Sequence, residues 1–393
     1  MINRTYWLKL IETLWEHKNV IWLAGVRRAG KTSLCRSLEG AGYFDCELPS
    51  VRNAIEEPES FLKNFKGSRL VLDEVHRLKN PSELLKIAAD YFPGIKVIAT
   101  GSSMLSAARK FKDTLTGRKA DIWLTPLNSA DMRDFAAPSV EDRLLKGGLP
   151  PYFMAAASSE RDYYDWMENY WARDVQDLFS VGKRGAFLKF AELLLVRSGG
   201  IFEASSYAAP CEVSRGTIQS YLDVLEATFI AHIIRPFSRR GAAEIISAPK
   251  IYAFDTGFIR AFKGIAELRP EDKGFLWEHL TLNEIFSVLQ SRRVNYWRDK
   301  QGHEVDFVLA PPGRRGLAIE CKWREAEFSP KNLKIFARHY PDFGLAVAAS
   351  DVAMPHEKSL AGLNIKFVNL KDIKDLLFEF DMPGPQDNLP EKT

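Results

Sequence analysis

The chain has 393 residues, of which 46% are hydrophobic and 27% charged, and a formal net charge of +3. This balance excludes a disordered or fibrous chain and predicts two or three globular domains. The charge neither requires nor excludes a nucleic-acid partner. Four scattered cysteines without a C-x-x-C pair argue against a structural zinc site or a disulfide framework. Without a signal-peptide core or a long apolar run, we expect a cytoplasmic protein with no membrane span.

Residues 25–32 read G-x-x-x-x-G-K-[ST], the phosphate-binding loop of nucleoside triphosphatases. An apolar run before the loop predicts a buried strand, and helical spacing after it predicts a helix. The glycines allow backbone N–H groups to close on phosphate at the start of that helix. Lys31 is expected to reach the β- and γ-phosphates of ATP, and the Thr32 hydroxyl to ligate Mg²⁺. The predicted nucleotide-binding residues of the loop are Gly25, Arg27, Arg28, Ala29, Gly30, Lys31, Thr32 and Ser33.

A second apolar strand, at residues 69–72, runs directly into Asp73 and Glu74. Adjacent acids after a buried strand, downstream of a phosphate-binding loop, are typical of a triphosphatase site. Asp73 is predicted to hold Mg²⁺ through water, and Glu74 to polarise the attacking water.

Residues 96–103 predict another strand, which ends in small hydroxyl residues and should lie between the first strand and the Asp-Glu strand. Two interpretations are open for Thr100 and Ser102. Either one of them contacts the γ-phosphate or its attacking water, or both belong to a simple turn at the end of the strand. Arg118 precedes a predicted last strand at residues 121–124. It is either an arginine finger, acting in its own subunit or on a neighbour, or a member of a surface ion pair.

These motifs resemble those of bacterial and archaeal AAA-type ATPases that carry a C-terminal domain long described as of unknown function. The matching features are Arg27 in the loop, L-D-E at residues 72–74, T-G-S-S at 100–103 and G-R at 117–118. Further matches are G-G-L-P at residues 147–150, R-D at 173–174 and K-x-Y-x-x-D-x-G at 250–257. The resemblance covers nearly the whole chain, and it implies a sensor role for residues 100–103 and a finger role for Arg118.

The middle of the chain predicts a helix-turn-helix over residues 205–225, with Ser214 as the N-cap of its second helix. Two β-rich runs, at residues 229–234 and 244–246, flank an arginine-bearing turn that predicts a basic wing. Winged helices contact DNA with the second helix and the wing, but they also serve as protein-interaction or lid modules. The predicted DNA-binding residues are Arg215, Gln219, Arg239 and Arg240.

The C-terminal part contains Asp306 on one predicted strand and Glu320-x-Lys322 at the end of the next, after a helix that carries Glu278. Carboxylates on adjacent strands can hold Mg²⁺, and Lys322 can steady or deprotonate an attacking water. The pattern resembles the restriction-endonuclease-like fold, with its helix Glu, strand Asp and E-x-K. Cleavage and a pure binding platform both stay open. The predicted metal ligands of the whole chain are Thr32, Asp73, Glu278, Asp306 and Glu320, and the predicted catalytic residues are Glu74, Arg118, Asp306, Glu320 and Lys322.

We therefore expect an α/β chain with a P-loop AAA-type ATPase domain at residues 1–135 and a helical linker and winged helix at 136–248. A restriction-endonuclease-like domain is expected at residues 249–380, and a disordered tail at 381–393. The expected function is a Mg²⁺-dependent ATPase that remodels or cleaves DNA, with branched or junction DNA as a plausible substrate. The alternatives are a non-cleaving DNA-binding motor and a nucleotide-controlled protein-interaction switch. DNA and further copies of the chain, in a ring if Arg118 reaches a neighbour, are the expected partners.

Overall fold

The computed structural model describes residues 2–65, 67–101, 114–137, 139–156, 158–176, 182–239 and 248–388. Four features of the sequence analysis lie outside these ranges: Ser102, Ser103, Arg240 and the predicted wing strand at 244–246. None of the helices in the described ranges has the length and apolar character needed to cross a membrane.

The amino-terminal part is built around a parallel sheet. Its strands in the described residues are β1 (Val20–Ala24), β2 (Ala41–Asp45), β3 (Arg69–Asp73), β4 (Lys96–Thr100) and β5 (Lys119–Trp123). Their order is β2-β3-β4-β1-β5, so β4 lies between β1 and β3 as the sequence predicted. β1 is buried along its whole length, as expected for a strand covered on both faces of a parallel sheet. Because the strands are parallel, their carboxyl ends meet at one edge.

Short helices cover this sheet. The first is amphipathic, and its buried residues Trp7, Ile11, Leu14 and Trp15 pack into the same core as β1. Three of the others begin with proline, which suits the first turn of a helix because that turn needs no N–H partner. The helices are α1 (Thr5–Trp15), α2 (Lys31–Arg36), α3 (Pro49–Ala54), α4 (Pro58–Lys63) and α5 (Pro81–Tyr91).

The middle of the chain is helical. A π-helical turn, Trp171–Val175, follows α9 without a break. Ser214 caps α12 by accepting a hydrogen bond from the Thr217 backbone N–H, and α12 buries Ile218, Tyr221, Leu222, Val224 and Leu225. The helices are α6 (Ser129–Asp134), α7 (Val140–Lys146), α8 (Pro150–Met154), α9 (Glu160–Tyr170), α10 (Arg184–Val196), α11 (Ala204–Ala208) and α12 (Arg215–Ala227).

A second, mixed sheet occupies the carboxyl-terminal part. Its strands are β6 (Ala231–Pro236), β7 (Lys250–Ala253), β8 (Asn295–Arg298), β9 (Glu304–Leu309), β10 (Leu317–Lys322), β11 (Gly344–Ala349), β12 (His356–Leu360) and β13 (Leu363–Val368). Within the described chain their order is β12-β13-β11-β10-β9-β8-β6-β7. The accompanying helices are α13 (Thr256–Lys263), α14 (Pro270–Leu289), α15 (Lys331–His339) and α16 (Ile373–Glu379).

The second sheet bears on two expectations drawn from the sequence. β6 pairs antiparallel with β7 and parallel with β8, whereas the predicted strand at 244–246 lies outside the described residues. The expected domain boundary between residues 248 and 249 therefore falls inside a hairpin. The expected disordered tail is also shortened, because Met382 is buried and Arg314 donates to the Asp381 carbonyl at 2.8 Å. Local polarity and proline content cannot reveal such long-range anchoring.

Two of the motifs noted in the sequence pack against each other. The Gly148 backbone N–H donates to Asp255 Oδ2 at 2.5 Å. A Cβ added at Gly257 would lie 2.9 Å from the Gly147 Cα, so this close backbone approach requires glycine. The G-G-L-P segment is thereby fixed to the turn that follows β7.

The long helix α14 joins the two sheets. Glu284 on α14 accepts hydrogen bonds from the backbone N–H and the hydroxyl of Ser129, at 2.8 and 2.7 Å. Gln290, which ends α14, accepts a hydrogen bond from the Trp123 backbone N–H at the end of β5. One large hydrophobic core also runs from α1 to α16. The two sheets thus share a continuous buried interior.

Candidate functional sites

The loop between β1 and α2 has the conformation that phosphate binding needs. Arg28 and Gly30 adopt positive φ angles of 65° and 98°, and Gly30 is the N-cap of α2. The Lys31 ammonium donates to the carbonyl oxygens of Gly25 and Val26, at 2.9 and 3.2 Å. Burial lowers the pKa of Lys31 below its ordinary value. A buried ammonium held over the loop backbone is positioned for phosphate oxygens.

Asp73, at the end of β3, is the centre of a hydrogen-bond network. It is buried and accepts bonds from the Thr32 hydroxyl at 2.9 Å, the Tyr43 hydroxyl at 2.5 Å and the Thr100 hydroxyl. The Glu74 backbone N–H donates in turn to Thr100 Oγ1 at 3.1 Å. Thr100 therefore contacts the two acids, and this fixes their orientation at the edge of the sheet.

Glu74 follows in a left-handed backbone conformation, with φ of 55°. This conformation costs energy in a residue other than glycine and is found mainly at functional sites. His76 Nδ1 lies 3.1 Å from Glu74 Oε2. Burial raises the pKa of Glu74, but the hydrogen bond from His76 and the charge of Lys31 outweigh it and lower the pKa. Glu74 is thus an ionised carboxylate, the state a general base requires.

The middle of the chain provides the other walls of this site. Pro150 lies against Gly30, and Arg28 donates to the Tyr152 hydroxyl at 3.2 Å. The cleft has a volume of about 1010 Å³. Its lining includes the predicted residues Gly25, Arg27, Arg28, Gly30, Lys31, Thr32, Ser33, Asp73 and Glu74, together with Tyr43, Arg173 and Asp174.

Ala29 does not face this cleft. Its side chain is buried, and its carbonyl accepts a hydrogen bond from Arg4 at 2.8 Å. Arg4 also forms a buried ion pair with Asp131. Ala29 therefore ties the loop to the amino-terminal segment.

Arg118 lies far from the cleft in its own chain. It immediately precedes β5, whose first residue, Lys119, is paired with Val20 at the start of β1. The phosphate-binding loop leaves the other end of β1, about 16 Å away at 3.3 Å per residue. Arg118 Nε instead donates to Asp90 at 2.8 Å. In this structure Arg118 therefore does not reach the phosphate-binding loop of its own subunit.

The residues of the cleft fit a magnesium-bound nucleoside triphosphate. Thr32 and Asp73 offer oxygen atoms 2.9 Å apart beside the loop, and oxygen is the ligand that Mg²⁺ prefers. Lys31 and Arg27 provide positive charge on the side of the phosphates.

A second polar cluster lies where α14 packs against β7, β9 and β10. Its carboxylates are Glu278, Glu304, Asp306 and Glu320, and its cations are Lys250 and Lys322. Lys322 Nζ donates to Glu320 Oε1 at 2.8 Å, and the Cys321 backbone N–H donates to Asp306 Oδ2 at 2.7 Å. Asp306, Glu320 and Lys322 of the predicted set are brought together, Glu278 lies on the Lys250 side of the cluster, and Cys321 is buried.

Burial and mutual repulsion have the largest effect on the pKa values of the carboxyl groups in this cluster. They raise the pKa of Asp306 to about 7 and that of Glu320 to about 8, and burial also raises the pKa of Glu278. Burial lowers the pKa of Lys322, but the charges of Glu320 and Asp306 outweigh it and raise the pKa. Carboxylates that favour protons in this way are stabilised as anions by a bound cation.

The fit of this cluster to a metal ion is partial. Among the residues that the structure describes, no three Asp, Glu, His or Cys side chains converge into a metal-binding group. Glu278 accepts a hydrogen bond from the Tyr252 hydroxyl and lies beside Lys250, not beside Glu320. Glu320 Oε2 is buried and has no hydrogen-bond partner. Asp306 and Glu320 lie on paired strands, but Glu278 in this position does not complete a metal-binding set with them.

Residues 17–132 match the family model of the AAA domain. The chain carries an AAA-type ATPase domain. Residues 137–269 match a domain of unknown function, DUF8612, and residues 273–373 match another, DUF4143. In this division the β6–β7 hairpin stays within one unit, whereas the expected boundary at 248 separates its strands.

The comparisons extend the similarity beyond the ATPase domain. An uncharacterized protein of Mycobacterium tuberculosis is 27% identical over 308 residues, which are 75% of this chain and 68% of that protein. An uncharacterized protein of Methanocaldococcus jannaschii is 21% identical over 383 residues, which are 88% of this chain and 83% of that protein.

Two solved structures are also similar. A Walker-type ATPase of Pyrococcus abyssi aligns with a TM-score of 0.43 and 16% identity, over 67% of this chain and 96% of that one. A RuvB variant of Thermotoga maritima aligns with a TM-score of 0.30 and 16% identity, over 60% of this chain and 90% of that one.

The predicted DNA-binding residues occupy different surfaces. Arg215 and Gln219 are exposed on α12, where Gln219 donates to Asp223 at 3.2 Å. Arg239 instead pairs with Asp342 at 2.5 Å and lies over the Tyr340 ring, and both partners belong to the segment between α15 and β11. Arg240 is not among the described residues.

Sequence reasoning missed several residues of the two sites. Tyr43 and Asp174 of the ATPase cleft come from segments without a phosphate-binding motif. Lys250 and Tyr252 were noted as part of K-x-Y-x-x-D-x-G but received no chemical role. The signal was present in their spacing, because residues two apart on a strand share a face.

Proposed function

We propose that this chain is a Mg²⁺-dependent ATPase that acts on DNA, with ATP turnover coupled to remodelling or cleavage of branched DNA. The observation that carries the ATPase part is the network in which Thr32, Thr100 and Tyr43 hold Asp73 beside an ionised Glu74. Thr32 and Asp73 would hold Mg²⁺, and the ion would supply charge neutralisation at the phosphate oxygens. Lys31 contacts the β- and γ-phosphates, and Glu74 accepts a proton from the attacking water.

Two features support DNA as the partner. Helices α10 to α12 and the β6–β7 hairpin follow one another in the order of a winged helix, and α12 presents exposed Arg215 and Gln219. The element order α14-β8-β9-β10-α15-β11, with Asp306 on β9 and Glu320 and Lys322 on β10, supports the proposal of a restriction-endonuclease-like unit. We propose functional units close to residues 1–135, 136–248 and 249–380, with β7 contributing to both later units.

The position of Arg118 supports the proposal of an oligomer. Because Arg118 lies at the opposite edge of the sheet from its own phosphate-binding loop, its finger role needs a neighbouring subunit. We propose a homo-oligomer, with a ring as the arrangement that supplies every site with one finger.

ATP hydrolysis is tested with Glu74→Gln, which keeps the shape of the side chain but removes the base. Turnover should fall at least about 10²-fold while ATP still binds. Glu59→Gln is the matched control, because Glu59 is exposed on α4 and pairs with Lys63. Unchanged ATP turnover in Glu74→Gln would show that Glu74 is not the general base.

DNA action is tested with labelled linear, single-stranded and four-way-junction DNA, with Mg²⁺ or Mn²⁺ and with or without ATP. Metal-dependent cleavage that is lost in Lys322→Ala identifies a nuclease. DNA that is bound in a salt-dependent way but not cut identifies a non-cleaving motor. The ion pairs between lysines and carboxylates in the second polar cluster favour this outcome. Absence of binding at low salt would overturn both DNA functions and leave a nucleotide-controlled protein-interaction switch.

A further inference from the structure

Tyr43 contacts Asp73 although it belongs to neither the phosphate-binding loop nor the Asp-Glu motif. It lies on β2, which pairs in parallel with β3. In this register Asp45 lies opposite Asp73, so Tyr43, two residues earlier, has its side chain on the same face of the sheet as Asp73. The neighbouring strand thus brings a phenol to the carboxylate at the end of β3.

The Tyr43 hydroxyl binds the same carboxylate oxygen as the phosphate-binding loop. Asp73 Oδ2 accepts from the Tyr43 hydroxyl at 2.5 Å and from Thr32 Oγ1 at 2.9 Å. The other oxygen, Oδ1, accepts from the Thr100 hydroxyl. Asp73 is 4% exposed, so these three hydroxyls, rather than bulk water, set the rotation of its carboxylate.

The ring of Tyr43 is itself held in place. The Arg36 guanidinium lies over the ring, 4.8 Å from its centroid, in a cation–π contact. Arg36 ends α2, the helix that begins with Lys31 and Thr32, so one short helix carries both the loop residues of the cleft and the cation above the ring. Burial and the hydrogen bond to Asp73 raise the pKa of Tyr43, so its hydroxyl is a neutral donor near pH 7.

We propose that Tyr43 is a positioning residue for the divalent cation of the ATPase cleft and acts through Asp73. The inference rests on the proposed Mg²⁺-dependent ATPase function. The phenol keeps Asp73 Oδ2 beside the Thr32 hydroxyl, and these two residues supply the oxygen atoms that would hold the ion. Because the phenol acts through the carboxylate and carries no charge, its hydroxyl serves binding of the ion and not binding of the phosphates to the loop.

The test is Tyr43→Phe, which keeps the ring under Arg36 and removes only the hydroxyl. Mn²⁺ is titrated into the full chain in the presence of the β,γ-imido analogue of ATP, and free Mn²⁺ is measured by its paramagnetic resonance. A titration without the analogue subtracts ions bound elsewhere. The affinity for the ion should fall at least about fivefold, as expected for loss of one hydrogen bond to a buried carboxylate. In EDTA, the affinity for a fluorescent form of the same analogue should not change.

Tyr91→Phe is the matched control, because Tyr91 is 74% exposed on α5, and both affinities should equal those of the wild type. Unchanged Mn²⁺ affinity in Tyr43→Phe would overturn the positioning role. An equal loss of affinity for the ion and for the metal-free analogue would also overturn it, since that result indicates general damage to the cleft. A wild-type chain that binds no Mn²⁺ together with the analogue would instead overturn the proposed metal-dependent ATPase.

Discussion

Arg27 of the phosphate-binding loop donates from Nε to Oδ2 of Asp174, a residue of the π-helical turn, over 2.8 Å. Both residues line the ATPase cleft, and their side chains are 29% and 22% exposed. Asp174 therefore places a negative charge in the region where a triphosphate binds, and it engages one of the arginines that would meet the phosphates. π-Helical turns are often found at functional positions.

Asp174→Asn should strengthen ATP binding. The substitution frees Arg27 and removes repulsion of the phosphates, and a partly exposed ion pair of this kind corresponds to about a fivefold change in affinity. Binding of a fluorescent ATP analogue measures the effect. Asp165→Asn is the matched control, since Asp165 is 64% exposed on α9 and pairs with Arg161. Weaker binding in Asp174→Asn would show that Asp174 orients Arg27 for the phosphates.

Mixing two inactive variants should restore ATP hydrolysis if Arg118 acts on a neighbouring subunit. Arg118→Ala keeps Glu74, and Glu74→Gln keeps Arg118. A mixed oligomer therefore contains interfaces with both residues intact, whereas neither variant alone does. Turnover by the mixture above the sum of its components is the expected result. A mixture no more active than its components would instead leave Arg118 as the surface partner of Asp90.

The contact between the two sheets should depend on pH through Glu284. Burial raises the pKa of Glu284 to about 7, although hydrogen bonds from Ser129 oppose the shift. A carboxyl group whose pKa is raised on folding stabilises the folded chain below its unfolded pKa, and this contribution is lost as pH rises through 7. In Glu284→Gln, which mimics the protonated form, the free energy of unfolding should exceed that of the wild type at pH 8 by up to about 3 kcal/mol.

Denaturant unfolding at several pH values checks this expectation. The difference between Glu284→Gln and the wild type should shrink toward pH 5, where the native carboxyl group is protonated. A difference that does not vary with pH would show that Glu284 is ionised throughout the range or that the amide perturbs packing.

Gly148→Ala should destabilise the folded chain. The added Cβ would lie 2.2 Å from Arg143 Nη2 and 2.4 Å from Cζ, and the Arg143 side chain is buried. Overpacking of this kind costs about 1–3 kcal/mol. Gly94→Ala provides the comparison, because a Cβ there meets no atom within 4 Å. Equal stability of the two variants would mean that the Arg143 side chain relaxes at no cost.

The motifs of the ATPase cleft could be recognised in the sequence because each of them occupies a short continuous stretch. The loop, its flanking strand and helix, and the acids at the end of β3 each occupy a short stretch with its own pattern. The position of β4 between β1 and β3 also followed from those strands. The partners of Asp73 and Arg27 did not follow from the sequence. Tyr43 belongs to no motif, and the R-D match that contains Asp174 implied no contact with the phosphate-binding loop.

The carboxylate cluster of the second sheet could be predicted from the sequence only in part. The pattern of Asp306, Glu320 and Lys322 was visible, but the neighbours of Glu278 depend on how β7 pairs with β6 across residues 237–249. A strand's partner is a long-range property that hydrophobic alternation does not specify. The same reason explains why the sequence does not reveal that β6 and β7 pair across residue 248, or that Met382 is buried in a segment expected to be disordered.

The contact between Gly148 and Asp255 connects the nucleotide cleft to the carboxylate cluster of the second sheet. Two residues after Gly148 comes Pro150, which touches the phosphate-binding loop, and three residues before Asp255 comes Tyr252, which holds Glu278. The close backbone approach at this contact requires glycine, because a Cβ added at Gly257 would lie 2.9 Å from the Gly147 Cα. One short backbone contact therefore links the wall of the nucleotide cleft to the strand that carries Lys250 and Tyr252.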